Sequence, residues 1–211
     1  GRPLGSYVME QILFKISFPA EFHAQTAAEC TMTLHPQVKD KLAQIKKITI
    51  RTHESAIRII DKKGRLANPA DRDHCIQYMI AVPLAFGRLT ASDYEDDIAA
   101  LPVIDQLRDK MVCVEDKQFS ADYLDPEKRS IANGITIEFK DGKKLKEIVV
   151  EYPIGHRRRR KEGIPVLVEK FKSNLALKIA PKNSKKILAA CDAQKTLEGT
   201  PVPDFVSLFV V

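Results

Sequence analysis

The chain has 211 residues, 44% of them hydrophobic, which is enough to bury a sizeable core in one or two domains. It holds no apolar run near the roughly 18 residues that span a bilayer. Its first residues also lack a secretory signal, so we expect neither membrane insertion nor export. The net charge of +6 suits an anionic metabolite as well as nucleic acid, so charge does not decide between these ligands.

The four cysteines, Cys30, Cys75, Cys113 and Cys191, lie far apart, without the CxxC spacing of metal sites. This spacing disfavours a disulfide scaffold, an iron–sulfur cluster and a zinc site, so we predict buried reduced thiols and no metal. The sequence also lacks GxGxxG, GxSxG and HExxH, and nothing indicates a nucleotide cofactor, a serine nucleophile or zincin chemistry.

Apolar periodicity predicts the elements of the first half of the chain. Alternation predicts a strand over residues 12–18, and an alanine-rich composition predicts a helix over residues 19–34. A second alternating strand is expected over residues 48–52, and the apolar pattern allows it to continue to residue 60. The polar residues 61–64 then predict a turn.

The middle of the chain carries the clearest local signals. Residues 76–86 are apolar around nearly the whole helical circumference, which predicts a buried helix that Gly87 ends. Residues 90–114 predict an amphipathic helix. Two alternating segments, residues 135–139 and 148–152, flank an Asp-Gly pair, which predicts a β-hairpin.

Strand patterns stop beyond this hairpin. Residues 155–161 predict a basic loop, residues 164–180 and 184–197 predict amphipathic helices, and the apolar tail that follows needs a partner surface. We therefore predict an α+β domain over residues 1–155 and a C-terminal helical segment over residues 156–211, which is too small to fold alone.

The first candidate site lies at the junction before the alanine-rich helix. Lys15, Glu21, His23 and Gln25 present an amine, a carboxylate, an imidazole and an amide near a predicted helix N-terminus. Unpaired backbone N–H groups favour an anion there, so we predict a carboxylate site. The structural alternative is that Lys15 lies along the surface, Glu21 caps the helix and His23 is a satisfied surface histidine.

The second candidate site begins the buried helix. Arg72, His74 and Gln77 are polar residues at its start, and the planar fork of an arginine suits a carboxylate. The alternative is a structural role, in which Asp71 caps the helix and forms a local ion pair.

The basic loop is the third candidate. His156 and Arg157 are expected either to form one wall of an anion pocket or to lie in a solvated loop. A nucleic-acid surface is less favoured, because the nearest aromatic residues are Tyr152 and Phe171 and none interleaves the charges. We therefore expect no nucleic-acid partner.

Several stretches along nearly the whole chain resemble the MmgE/PrpD family, and in particular its branch that acts on 2-methylcitrate. They are long and keep their order, so the resemblance is more specific than a single short motif. The stretches are GSYVME, KISFPAEFHAQTAAE, IRIIDKKG, NPADRDHCIQYMIAVPLAFG, DPEKRSIANGITIEFKDG, VEYPIGHRRRRKEGIPVLVEKFK and TPVPDFVSLFVV.

The resemblance implies a two-layer α/β lid domain, followed by helices that belong to an all-helical domain mostly absent from this chain. It implies a lyase of the methylcitrate cycle that dehydrates 2-methylcitrate to 2-methyl-cis-aconitate in propionate breakdown, without an iron–sulfur cluster or another cofactor. It also implies a homodimer of the full-length protein, in the cytoplasm of a bacterium or in the mitochondrial matrix of a eukaryote.

The family also implies site residues. In a decarboxylase relative, a lysine and a histidine at the matching junction face the active site, which points here to Lys15 and to the segment from Glu21 to His23. We hypothesise that Lys15 neutralises a substrate carboxylate and that His23 is the general acid or base. The residues expected to bind the tricarboxylate are Glu21, Gln25, Arg72, His74, Gln77, His156 and Arg157.

Family members place further residues of the helical domain in the same pocket. We therefore expect the 211-residue chain to be inactive without that N-terminal domain. Two other interpretations stay open from the sequence: a non-catalytic basic binding module, and another reaction of the family, such as decarboxylation or epimerisation.

Overall fold

The computed structural model describes residues 15–210, which divide into two compact units between Arg159 and Arg160. The first unit contains a four-stranded sheet with helices, and the described part of the second is helical. The α+β fold class predicted from the sequence is confirmed. The assignment of residues 1–155 to a lid and of residues 156–211 to a larger helical domain stays a prediction. Within residues 15–210, no helix has the length and apolarity that crossing a membrane requires.

The sheet is mixed and has the strand order β2–β1–β3–β4. Strand β1 pairs in parallel with β2 through a helical crossover, and it pairs antiparallel with β3, which forms a hairpin with β4. The Asp-Gly pair does lie between β3 and β4, and Gly142 adopts a φ of +86°, so the predicted hairpin is confirmed. The strands are β1 (Ile45–Thr52), β2 (Met111–Glu115), β3 (Asn133–Phe139) and β4 (Ile148–Val150).

One face of the sheet carries the core. Ile48 and Ile50 of β1 and Ile135 and Ile137 of β3 are fully buried, because alternate residues of a strand point to the same face. Burying each such side chain stabilises the fold by about 1.5–3 kcal/mol. Residues of the opposite face, such as Arg51, remain partly exposed.

The first unit has seven α-helices among the described residues. Helix α1 packs on β3 and β4 and also on α4, which packs in turn on α6, so these helices cover the apolar face of the sheet. The helices are α1 (Gln25–Val38), α2 (Glu54–Ile60), α3 (Pro69–Asp73), α4 (Ile76–Phe86), α5 (Asp96–Ala99), α6 (Pro102–Arg108) and α7 (Lys117–Leu124).

Helix α4 is the buried helix that the sequence predicts, and its end is tightly packed. Gly87 has a φ of +66°, in the left-handed region that favours glycine, and its N–H donates to the carbonyl of Pro83. A Cβ at this position would lie 2.7 Å from the ring of His35 on α1. The same ring contacts the carbonyl oxygen of Leu84 through Nδ1 at 2.9 Å, so the glycine allows α1 and α4 to approach closely.

The second unit contains the predicted amphipathic helices, with the second of them shorter than expected. Leu175, Ile187 and Ala190 are its buried apolar residues within the described part of the chain. A small number of buried side chains gives little stabilisation, and the expectation that this segment does not fold alone stays a prediction. Its helices are α8 (Arg160–Ala176), α9 (Pro181–Asp192), α10 (Gln194–Gly199) and α11 (Val202–Ser207).

One predicted strand is absent from the described residues, the strand over residues 48–52 is confirmed without its continuation, and one predicted helix is wrong. Residues 15–18 form no strand, and residues 12–14 of that prediction lie outside the described residues. The strand predicted to reach residue 60 ends at Thr52, because His53 caps a helix there and its Nδ1 accepts a hydrogen bond from the N–H of Ala56 at 3.3 Å. The helix predicted over residues 90–114 is broken, and its end is strand β2.

The cysteines are all free thiols, as predicted, but they are not all buried. Cys30 and Cys75 are buried, Cys113 is half-buried, and Cys191 in helix α9 is exposed. The prediction of a buried thiol is therefore wrong for Cys191. Burial raises the pKa of Cys30 to about 12, which keeps this thiol protonated at neutral pH.

Candidate active site

A group of polar side chains meets at one end of the two central strands, where β1 ends and β3 begins. Because these two strands are antiparallel, His53 after β1 and Asn133 at the start of β3 lie at the same end of the sheet. The buried Nδ2 of Asn133 donates to the carbonyl of His23 and to Oγ1 of Thr26, each at 2.8 Å. These bonds fix the short 3₁₀ turn Phe22–Ala24 and the start of α1 against the first residue of β3.

Glu21 and His23 form a close pair within this turn. One Glu21 oxygen accepts from the backbone N–H of His23 at 2.8 Å, and the other lies 2.9 Å from the ring Nδ1. Burial raises the pKa of Glu21, but the hydrogen bond to His23 and its charge outweigh burial and lower the pKa below its ordinary value. Glu21 is therefore a carboxylate at neutral pH, and it accepts a hydrogen bond from Nδ1–H of His23.

Two further rings complete the group. The Nε2 atom of His23 lies 3.1 Å from the hydroxyl of Tyr123 on α7. The ring of His53 stacks on that of Tyr123, with centroids 4.4 Å apart and an angle of 10°, and it lies 5.1 Å from the ring of His23. We call Glu21, His23, His53 and Tyr123 the histidine cluster.

His53 is the most enclosed member of the histidine cluster. Its side chain is fully buried, and burial, followed by the charge of His23, lowers its pKa to about 4. His53 is therefore neutral at physiological pH. Its Nδ1 caps helix α2, so the ring is held from both sides, by the helix cap and by the stack on Tyr123.

The segments that border the cluster also carry buried polar atoms that are not hydrogen-bonded within the described residues. Buried polar groups nearly always have a hydrogen-bond partner, so several such atoms from neighbouring segments distinguish this end of the sheet from the rest. These atoms are Oγ1 of Thr52, Nε2 of His53, Oγ of Ser130 and Oδ1 of Asn133.

Gln25 and His74 act on the same turn or on Glu21, and Lys15 precedes the turn in the chain. The buried amide of Gln25 donates to the carbonyls of Phe18 and Ala20, at 3.1 and 2.6 Å, and so shapes the backbone that leads into Glu21. His74 is exposed, and its charge contributes to the lowered pKa of Glu21, so it acts on the same carboxylate. Lys15 is exposed and lies in the irregular segment before this turn.

Arg72 and Gln77 occupy a different place. Both line a cavity of about 910 Å³, and within the described part of the chain His23 is not among its lining residues. The guanidinium of Arg72 is buried and donates to the carbonyl of Tyr94 and to the carboxylate of Asp96, each at 2.6 Å. Arg72 therefore holds the 3₁₀ turn Ala91–Tyr94 and the start of α5 in place.

The capping of helix α3 differs from the prediction. Asn68 is the helix cap, since its Oδ1 accepts from the N–H of Asp71 at 2.9 Å, whereas Asp71 pairs with Lys62. In the structural alternative, the capping role of Asp71 is therefore wrong, whereas its local ion pair is present. Gln77, in the next helix, donates through its amide to the carboxylate of Asp61.

The expected basic loop is ordered and partly buried. His156 is buried, its ring centroid lies 4.6 Å from that of Tyr152, and its Nδ1 accepts from the N–H of Arg158 at 3.2 Å. Arg157 is half-buried and begins a short 3₁₀ turn, Arg157–Arg159. At the end of that turn, Arg159 donates to Glu29 of α1 at 2.8 Å and so ties the segment to this helix.

Of the four members of the histidine cluster, the sequence patterns predict Glu21 and His23 as site residues and do not indicate His53 or Tyr123. His53 follows an alternating strand, and its position stands out only if that strand is taken to end at Thr52. Tyr123 is 100 residues from His23, and no local pattern connects them. Groups of three or more potential metal ligands are absent from residues 15–210.

Comparison of the sequence with family models identifies one family of proteins. The model of the MmgE/PrpD C-terminal domain matches residues 18–194, and the chain belongs to this family.

Its relatives carry more specific names. The 2-methylcitrate dehydratase of Salmonella typhimurium is 60% identical over 213 residues, which cover 100% of this chain and 44% of the relative. The mitochondrial 2-methylcitrate dehydratase of Yarrowia lipolytica is 57% identical, over 99% of this chain and 40% of the relative. A 2-methylcitrate dehydratase-like protein of Aspergillus oryzae is 42% identical over 99% of this chain. The chain thus spans less than half the length of these relatives.

Proposed function

We propose that the full-length protein that contains this chain dehydrates 2-methylcitrate to 2-methyl-cis-aconitate. The observation that carries the proposal is the pairing of a buried imidazole with a carboxylate, His23 with Glu21 at 2.9 Å, in a chain whose relatives are named for this reaction. An imidazole oriented by a carboxylate is the usual group for moving protons at neutral pH.

The reaction needs three kinds of group. A base removes the proton next to a carboxylate, an acid protonates the departing hydroxyl, and cations stabilise the negative charge that develops. We assign proton transfer to His23, with Glu21 stabilising its protonated form. We assign the substrate carboxylates to the ammonium group of Lys15, six residues before Glu21, and to the imidazole of His74.

The remaining predicted site residues differ in how the structure uses their side chains. The amide of Gln25 donates a hydrogen bond to the backbone that precedes the turn. Arg72 and Gln77 donate hydrogen bonds to carboxylates of the protein and line a separate cavity. Their proposed contact with substrate, and that of His156 and Arg157, therefore requires that the substrate reach these side chains in the full-length protein.

The proposal also covers the domain organisation, the oligomeric state and the location of the full-length protein. Because the relatives are more than twice as long as the matched region, we propose that an N-terminal helical domain completes the site and that the whole protein is a homodimer. We propose the bacterial cytoplasm or the mitochondrial matrix as its location, since relatives of both origins have similar sequences.

The test compares the full-length protein with the 211-residue chain alone. Each is supplied with 2-methylcitrate, and the conjugated double bond of the product is followed by ultraviolet absorbance. We expect steady turnover by the full-length protein, less with citrate, and none by the chain alone. A full-length protein that leaves 2-methylcitrate unchanged would refute the function, and normal turnover by the chain alone would refute the need for a second domain.

A further inference from the structure

We infer that Tyr123, rather than His23, exchanges protons directly with the substrate, and that His23 acts behind it. The inference rests on the proposed function and assigns a catalytic role to a residue outside the predicted site.

The first argument is that both ring nitrogens of His23 are occupied. Nδ1 lies 2.9 and 3.1 Å from the two oxygens of Glu21, and a carboxylate only accepts, so Nδ1 carries the proton. In the neutral ring, Nε2 then has a lone pair, and the hydroxyl of Tyr123 donates to it at 3.1 Å. A substrate proton therefore meets the oxygen of Tyr123 before it meets His23.

The second argument is exposure. The side chain of His23 is 8% exposed and lies against the rings of Phe22, His53 and Tyr123. Tyr123 is only half-buried, so it is the member of the hydrogen-bonded pair His23–Tyr123 with more contact with solvent. A charged tricarboxylate reaches a half-buried phenol at a lower desolvation cost than an enclosed imidazole.

The third argument is that Tyr123 is held in place by the ring of His53 and by its own capped helix. The His53 ring stacks flat on it, and its helix α7 is capped by Asp116, which accepts from the N–H groups of Gln118 and Phe119 at 2.8 and 3.0 Å. Catalytic groups need such fixed positions, because small displacements of a reacting atom cost large factors in rate. His53 is therefore a positioning residue for Tyr123.

The proton transfers balance without another reactant. In the first step the oxygen of Tyr123 takes the proton from the substrate carbon next to the carboxylate, while the phenolic proton moves to Nε2 of His23. The electron pair of the broken C–H bond forms the double bond, and the C–O bond breaks with its pair on oxygen. In the second step His23 returns its proton to Tyr123, whose own proton converts the departing hydroxyl to water.

The experiment removes one hydroxyl group from the full-length protein. Tyr123→Phe keeps the ring and its stack on His53 and removes the relay. We expect kcat for 2-methylcitrate to fall by at least about 100-fold, the lower range for loss of a general acid–base group, and KM to stay within about three-fold. The matched control is Tyr94→Phe, which removes a hydroxyl that is buried and not hydrogen-bonded within the described residues and should retain wild-type kcat.

The outcomes separate this inference from the function on which it rests. An inactive wild-type protein overturns both. An active wild-type protein with an equally active Tyr123→Phe variant, or with a variant that changes only KM, overturns the inference alone. If Tyr123→Phe does not fold, fluorotyrosine at position 123 replaces it: a shifted pH dependence of kcat supports the relay, and an unchanged one overturns it.

Discussion

The buried neutral histidine at the end of β1 makes the stability of the first unit depend on pH in a defined direction. Below pH 6.5 the unfolded chain binds a proton at His53, whereas the folded chain binds it only near pH 4, so acidification favours unfolding. The difference between these two pKa values corresponds to about 3 kcal/mol. Between pH 7.5 and 4.5 we expect about 2–3 kcal/mol of stability to be lost through this residue.

The variant His53→Asn isolates this effect, because asparagine also caps a helix but does not titrate. It should lose about 2–3 kcal/mol less than the wild type between pH 7.5 and 4.5. Urea unfolding followed by tyrosine fluorescence measures this, since the four tyrosines among the described residues all lie in the first unit. His74→Asn is the control, because its side chain is exposed. Equal acid sensitivity of His53→Asn and the wild type would refute the reasoning.

Two further predictions concern packing and thiol chemistry. Gly87→Ala should lower the free energy of unfolding by at least about 1 kcal/mol, because its φ is +66° and a Cβ meets His35. Gly199→Ala, with open space around its Cβ, should not, and an equal loss in urea unfolding would contradict this account. Cys191 should react with a thiol reagent in the folded protein, whereas Cys30 should require urea; a Cys191→Ser variant that still labels rapidly would contradict the exposure order.

Local signals explain why some elements are predictable from the sequence. Asp141 and Gly142 specify the β3–β4 turn through their own backbone preferences, and Gly87 ends a helix for the same reason. The first four residues of β2 are all apolar, so periodicity does not separate a strand from the end of a helix. Parallel pairing with β1, a contact between distant segments, makes this segment a strand.

The candidate site divides in the same way. Glu21 and His23 are two residues apart, and their types and spacing near a helix start are enough to indicate a site from the sequence alone. His53 and Tyr123 join them through the sheet and through α7, so their contribution depends on tertiary packing. The arginine fork of Arg72 suggests a substrate contact, but no sequence pattern reveals that the carbonyl and carboxylate it binds lie within 2.6 Å.

The measurement that tests the central claim most directly is the turnover of 2-methylcitrate by the full-length protein with His23→Asn. Asparagine retains an N–H group for Glu21 and removes the atom that moves protons, so the fold should be preserved. The account predicts a kcat at least about 100-fold below that of the wild type, with the same urea unfolding midpoint. A folded His23→Asn protein that turns over 2-methylcitrate at the wild-type rate would contradict it.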